Sequence, residues 1–212
     1  MDNNILTRNR LLSEKIMKGL ESRNITAHFA DTKEDALKIA LELIPTGSSV
    51  AWGGSASVEE IGLSAAIRNG QYTLYERSHD ADPAKRKQIE RQAFSADYFL
   101  CSCNAITEDG ILVNIDGNAN RVAAIAYGPD HVIMVVGMNK VTKDVDAAIS
   151  RARNTAAPRN VMRFPLETPC KTTGSCANCK SMSTICCQFL VTRFSRHPGR
   201  IHVILVNDNI GY

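Results

Sequence analysis

Short apolar runs alternate along the chain with segments in which apolar residues recur at helical spacing. Near-continuous apolar runs occupy residues 98–103 and 131–137, and another closes the chain at 199–206. Runs of this kind, bounded by turn residues, are typical of strands buried on both faces of a parallel sheet. Residues 5–22 carry one apolar stripe between charges, which predicts an amphipathic helix. The alternation predicts an α/β fold with a mainly parallel sheet and helices on both faces.

Capping and breaking residues set the remaining boundaries. Asp31 with Glu34 three positions later predicts a helix N-cap, and Pro158 is expected to end a helix. The turn pair Asp116 and Gly117 predicts a hairpin over residues 111–127. Helices are expected over residues 31–43, 58–69, 82–94 and 139–155, and further strands over 24–30, 48–52 and 71–76.

A glycine and serine loop follows the strand at 48–52 and comprises Gly53, Gly54, Ser55, Ala56 and Ser57. Glycine lets the backbone approach a ligand closely, serine hydroxyls add donors, and the free amides at a helix start attract an anion. The loop therefore predicts a phosphate or carboxylate site. A turn that only caps the helix with Ser57 is an equal alternative, because the Walker lysine and the full dinucleotide pattern are missing.

An amide-rich stretch follows the strand at 98–103. Carboxyl ends of parallel strands meet at one edge of a sheet, so we expect this stretch to converge with the glycine loop on one pocket. Arg121 is the candidate to hold a carboxylate and Asp109 the candidate to take a proton, with an ion pair of Arg121 to Glu108 or Asp109 as the structural alternative. The ligand-binding candidates are Asn104, Thr107, Asn114 and Asn120, for which Asx turns are an alternative, and His79 is a further loop candidate.

Five of the seven cysteines lie between Cys170 and Cys187. Such clustering is wrong for a secreted disulfide framework and typical of a metal site. The expected ligands are Cys170, Cys176, Cys179 and Cys186. Zinc and a [4Fe-4S] cluster both accept four thiolates, and the single Cys-x-x-Cys pair favours the cluster. Residues 165–198 are predicted to be a cysteine-rich metal-binding insertion before the last strand.

Composition narrows the class of protein. The 212 residues are 44% hydrophobic, which suits one domain over residues 1–212. The net charge of +3 comes from 25 basic and 22 acidic residues that are scattered, so nucleic acid is not expected as a partner. No apolar run approaches the roughly 18 residues that a membrane span needs, so we expect a cytoplasmic protein.

Three stretches together resemble the lactate-utilisation (LUD) domain family of the LutC and YkgG type. They are residues 52–62, residues 104–110 with 116–122, and the cysteine segment 170–186, which a subgroup of the family carries. The resemblance implies a fold like that of ribose-5-phosphate isomerase and coenzyme A transferases, whose loop at the position of Gly53, Gly54, Ser55 and Ser57 handles phosphate or acyl groups. It also implies a role in oxidising lactate to pyruvate within a multi-protein iron-sulfur system.

Two hypotheses of different class follow. In the first, the chain is an oxidoreductase component that binds a small carboxylate or phosphorylated ligand and relays electrons through a [4Fe-4S] cluster. In the second, it is a non-redox accessory subunit that binds a metabolite and contains structural zinc. Isomerase or acyl-transfer chemistry is a third alternative and requires a glutamate at the glycine loop, for which Glu59, Glu60 and Glu108 are the candidates. Other lactate-utilisation subunits and a second copy of the chain are the candidate protein partners.

Overall fold

A computed structural model of the chain describes residues 2–76 and 82–212, so the candidate His79 lies outside the described residues. Ten strands occur there: β1 (Thr26–Ala30), β2 (Ser49–Trp52), β3 (Thr73–Glu76), β4 (Tyr98–Cys101), β5 (Ala105–Thr107), β6 (Leu112–Asp116), β7 (His131–Gly137), β8 (Val141–Thr142), β9 (Gln188–Thr192) and β10 (Ile201–Val206). The α-helices are α1 (Asn3–Glu21), α2 (Lys33–Glu42), α3 (Ala56–Glu60), α4 (Leu63–Asn69), α5 (Pro83–Gln92), α6 (Asn120–Ala126), α7 (Val145–Arg151), α8 (Ala157–Val161) and α9 (Pro169–Thr173). None of these helices combines the length and the apolar character that a bilayer span needs.

The main sheet has six parallel strands in the order β1-β10-β7-β4-β2-β3. Both of its faces are covered by apolar clusters, which is why its central strands are continuous apolar runs. Ile16 and Leu20 of α1 pack on one face, and Ala36, Ala40 and Leu63 of α2 and α4 pack on the other. The predicted α/β architecture with helices on both faces is confirmed.

A second sheet of four strands, in the order β8-β5-β6-β9, extends from the end of β4. Its core is small and alanine-rich, with Ala105 and Val113 packing against Ala148 and Ala152. The cysteine segment 165–198 supplies β9, which pairs antiparallel with β6. That segment therefore lies against the same part of the molecule as the amide-rich stretch.

The predicted hairpin over residues 111–127 is wrong in its second half. The hairpin of this region is β5 with β6, and the residues after Asp116 form α6 instead of a returning strand. The Asp116 carboxylate accepts hydrogen bonds from the backbone amides of Arg121 and Val122, at 3.1 and 3.2 Å. These bonds satisfy amides at the start of a helix, so Asp116 starts α6 instead of turning a hairpin.

Two predicted helix starts are corrected. Thr32, not Asp31, caps α2 by accepting from the Asp35 amide, and the Asp31 carboxylate binds Arg10 instead. Ser55, not Ser57, caps the helix after the glycine loop. That helix is also two helices, α3 and α4, because Gly62 between them has a left-handed φ of 77°.

The predicted helix over residues 139–155 begins later and ends later than expected. A 3-10 turn (Met138–Lys140) and β8 come first, and Asp144 then caps α7 by accepting from the Ala147 amide at 2.9 Å. Pro158 does not end the helix. A π-helical segment (Ala152–Ala156) precedes the proline, which lacks an amide proton, and the helix continues as α8.

Candidate functional site

Three neighbouring strands of the main sheet, β2, β4 and β7, end at the same edge, and the residues after them line one cleft. Gly54 and Ser55 follow β2, Ser102 and Asn104 follow β4, and Lys140 ends the 3-10 turn after β7. The cleft has a volume of about 70 Å³. The glycine loop and part of the amide-rich stretch therefore converge there.

Sequence reasoning missed three polar residues of the cleft, Ser102, Lys140 and Arg163, and Lys140 is the most deeply buried of them. Its exposure is only 2%, and its Nζ donates to Ser57 Oγ at 2.7 Å and Ser102 Oγ at 2.9 Å. Burial lowers the pKa of the amine to about 8. No carboxylate in the part of the chain that the structure describes forms an ion pair with this amine.

Arg121 lies in the wall of the cleft with its guanidinium already bound. One Nη donates to Asn114 Oδ1 at 2.6 Å and to the Ser102 carbonyl at 3.2 Å. The other donates to Asn104 Oδ1 at 3.0 Å and to a backbone carbonyl of β6 at 2.6 Å. Its carboxylate neighbour is Asp116, at 3.8 Å from Nε, not Glu108 or Asp109. Arg121 therefore joins the loops after β4 and β6 and gives the cleft its shape.

Arg163 contributes an exposed cation to the same cleft. Its guanidinium carbon lies 5.8 Å from the ring centroid of Phe164 and 6.0 Å from that of Tyr212. Together with Lys140 and Arg121, it makes three cations among the lining residues that the structure describes, and none of these described residues is an aspartate or glutamate. Such a lining favours an anionic ligand such as a carboxylate or phosphate.

Gly53 and Asn120 line a wider groove of about 530 Å³ that shares Gly54 and Arg121 with the cleft. Asn120 donates to the Glu90 carboxylate at 3.3 Å. Two of the predicted ligand-binding residues are therefore beside the cleft. Asn114 is fully buried and holds Arg121.

The structure places Thr107 and Asp109 outside the cleft, at the turn of the β5–β6 hairpin. The Thr107 hydroxyl donates to Asp109 Oδ1, and Arg23 binds the other carboxylate oxygen, each at 2.5 Å. The hydrogen bond from Thr107 and the charge of Arg23 hold the pKa of Asp109 below its usual value. The Asp109 backbone packs so closely on α1 that a Cβ at Gly19 would lie 2.4 Å from its carbonyl oxygen. These residues attach the hairpin to α1, and they do not lie where the predicted proton transfer would need Asp109.

The glutamate candidates for isomerase or acyl-transfer chemistry are also absent from the lining of the cleft. Glu108 is bound by Lys15 and Lys143 on the hairpin side, at 2.6 and 3.0 Å. Glu60 accepts from the Gly211 amide at 3.1 Å. None of the three glutamates therefore lines the cleft, although Glu60 is near enough for its charge to act on Lys140.

The cysteine segment forms a separate pocket of about 130 Å³, called the cysteine pocket below. All four predicted ligands line it: Cys170, Cys176, Cys179 and Cys186. No cysteine of the described chain is in a disulfide. Burial, and then the neighbouring thiols of Cys176 and Cys170, raise the pKa of Cys186 to about 11. Within residues 2–76 and 82–212, no three His, Cys, Asp or Glu side chains are placed so that they could hold a metal ion.

The cleft and the cysteine pocket are neighbours. Ile185 and Ala157 line both cavities, and Ile185 also lines the wider groove. Ile185 directly precedes Cys186 in the chain. A single side chain therefore belongs to the walls of all three spaces.

Comparison with known proteins agrees with this fold. A DUF162 family protein from Deinococcus radiodurans has a similar structure, with a TM-score of 0.53 and 14% sequence identity, over 93% of this chain and 98% of that chain. This likeness concerns the fold. No curated protein matches the sequence significantly. The LUD domain family matches residues 13–206. Because that match spans nearly the whole chain, the protein belongs to the LUD domain family.

Proposed function

We propose that the protein is a redox subunit of the lactate-utilisation type, which binds a small carboxylate or phosphorylated ligand in the cleft and a [4Fe-4S] cluster in the cysteine pocket. Membership of the LUD domain family supports the lactate-related role. The observation that carries the redox assignment is the convergence of four unpaired cysteines on one pocket, whose wall also belongs to the cationic cleft.

The donor set of the cysteine pocket fits a cluster. The support is the chemistry of the lining, since four thiols border a space of about 130 Å³. Asn178, with a left-handed φ of 49°, turns the chain between Cys176 and Cys179, and Arg153 binds its side chain at 2.6 Å. Bound there, a [4Fe-4S] cluster supplies one-electron transfer.

The ligand assignment rests on charge and size. The cleft offers Arg163 as a cation without an ion pair among the described residues, and Lys140 and Arg121 add positive charge. Its volume of about 70 Å³ is about five times the roughly 10–15 Å³ that one water molecule needs, so a ligand of a few heavy atoms fits. A short carboxylate or a phosphate group has this size and charge.

Anaerobic purification tests the cluster. We expect brown protein with iron and inorganic sulfide in equal amounts, visible absorbance that dithionite bleaches, and an electron paramagnetic resonance signal after reduction. Cys179→Ser should remove iron and colour. Cys187→Ser is the matched control, because Cys187 is exposed and does not line the pocket. Colourless protein with stoichiometric zinc would overturn the redox assignment and support the non-redox accessory subunit.

A further inference from the structure

Lys140 is buried with hydroxyl groups, and not a carboxylate, as the hydrogen-bond partners of its amine. An ammonium group has three N–H donors, and two of those of Lys140 go to hydroxyls, of Ser57 and Ser102. Ser102 donates its own proton to the Val135 carbonyl at 2.6 Å, so its oxygen is free to accept from Lys140. Burying a cation without a carboxylate partner is costly, and ionisable groups perturbed in this way cluster in the clefts of functional sites.

Burial and nearby charges favour the neutral form of the amine. Burial is the largest effect on its pKa, and the charges of Arg151 and Arg121 act in the same direction, whereas Cys103 and Glu60 oppose them. The resulting pKa of about 8 gives a sizeable fraction of neutral amine near physiological pH. A neutral, desolvated lysine amine is a nucleophile towards carbonyl carbon.

The surroundings also define which carbonyl compound fits. Arg163 can bind a carboxylate, and the small cleft limits the ligand to a few heavy atoms. We propose that Lys140 forms an imine with the carbonyl carbon of a short 2-oxo acid whose carboxylate is held by Arg163. This inference rests on the proposed anion-binding role of the cleft and is independent of the cluster.

The step balances without any co-reactant. The lone pair of the neutral Lys140 amine forms the C–N bond while the carbonyl π electrons move to oxygen, which gives a carbinolamine after proton transfer. That oxygen then leaves as water with the two protons that began on the amine, and C=N forms. Ser57 and Ser102, at hydrogen-bond distance from Nζ, are placed to pass the protons.

Reductive trapping on the intact protein tests the proposal. Pyruvate with sodium cyanoborohydride should add one reduced adduct, which peptide mass spectrometry locates at Lys140. Acetone, which lacks a carboxylate, should label about tenfold more slowly. Inorganic phosphate should protect Lys140 from pyruvate, because it competes for the same cations. These measurements need no variant, so a folding defect cannot obscure them.

Variants sharpen the test. Lys140→Arg keeps a cation but cannot form an imine, and it should give no adduct. Lys143→Arg is the control, because the Lys143 side chain is 72% exposed and lies on the hairpin side with Glu108, so labelling at Lys140 should be unchanged. Adducts spread evenly over exposed lysines, or none at all, would overturn the imine. If pyruvate and phosphate still bind by calorimetry in that case, the proposed cleft stands; if neither binds, the proposed ligand function fails as well.

Discussion

The parallel strands of the main sheet begin at one side, here called the amino edge, and end at the other, the carboxyl edge. Both sides carry basic side chains, but the polar groups of the two sides are satisfied to different degrees. At the amino edge, His202 Nε2 lies 2.8 Å from the Gly199 carbonyl, and His131 stacks on Tyr98 with ring centroids 4.9 Å apart. Arg200 there donates to three backbone carbonyls. At the carboxyl edge, Lys140 and Arg163 have no carboxylate partner among the described residues. What distinguishes the site is a buried amine, Lys140, without a carboxylate partner among the described residues, whereas Arg196 in the amino-edge cavity is exposed.

Cavity volume alone would favour the amino edge as the binding site. The amino edge opens on a cavity of about 630 Å³, whereas the cleft at the carboxyl edge measures about 70 Å³. We favour the cleft as the ligand site although its volume is smaller, because a small ligand gains more binding energy from contact with unpaired cations than from unfilled space. The difference between the edges can be tested by removing groups from each.

Arg121→Ala is expected to have the largest effect. It removes four hydrogen bonds and leaves the amide oxygen of the fully buried Asn114 without its donor, whereas Asn104 Oδ1 still accepts from the Ile115 amide. We expect a loss of about 3–5 kcal/mol in the free energy of unfolding, measured by urea denaturation. Arg10→Ala is the control, because its exposed pair with Asp31 should contribute no more than about 1 kcal/mol. Equal losses in both variants would contradict a structural role for Arg121 at this edge.

Gly211→Ala should come next. An added Cβ would lie 2.3 Å from Ser57 Oγ and 3.0 Å from Lys140 Nζ, and the backbone φ of 60° is left-handed. We expect a loss of about 2–4 kcal/mol and weaker labelling of Lys140. Gly174→Ala has a similar φ of 72° but meets nothing within 4 Å, so it should lose only about 1 kcal/mol. Thermal unfolding of the two variants separates the steric contact from the strain of the backbone.

A pair of arginine variants contrasts the two edges directly. Arg163→Ala should weaken phosphate binding about tenfold, since a charge-assisted contact is lost, and should leave stability within about 0.5 kcal/mol. Arg200→Ala should do the reverse, with unchanged binding and a loss of about 2 kcal/mol, because its three carbonyl partners lose their donor. Isothermal calorimetry and urea denaturation measure both. Weaker phosphate binding in Arg200→Ala would remove the distinction between the edges.

The smallest expected effect is on the pH dependence of stability. Burial lowers the pKa of His28 and of His202 below the ordinary value of 6.5. The unfolded chain therefore binds protons that the folded chain excludes, so stability is present above pH 6.5 and falls as the pH drops below it. His28→Gln with His202→Gln should flatten this slope, whereas His197→Gln, which changes an exposed residue, should not. Urea midpoints between pH 7 and pH 5 are the measurement.

The main sheet and the meeting of the two loops could be predicted from the sequence, because apolar runs mark strands and parallel strands end at one edge. The hairpin over residues 111–127 could not, because Asp116 and Gly117 suit a tight turn and a helix start equally well. Long-range pairing with β9 then decides which residues face β6. Local turn chemistry does not contain that information.

Lys140 was missed because a lysine after a predicted strand has the same local signature as a surface lysine. Its burial depends on contacts with Ser57 and Ser102, which are 83 and 38 residues away in the chain. The available signal was its position, since it lies three residues after Gly137 at the end of β7. Asp109 shows the converse, because a carboxylate in a polar loop has the same local sequence whether it faces a cavity or is bound by Arg23 and Thr107, as it is here.

The place of Ile185 has a thermodynamic consequence. One side chain that borders three cavities cannot move for one occupant without altering the space left to another. If both spaces are occupied as proposed, we expect ligand binding in the cleft and cluster assembly in the cysteine pocket to be energetically coupled. Such coupling is reciprocal, because each binding event changes the affinity of the other by the same factor.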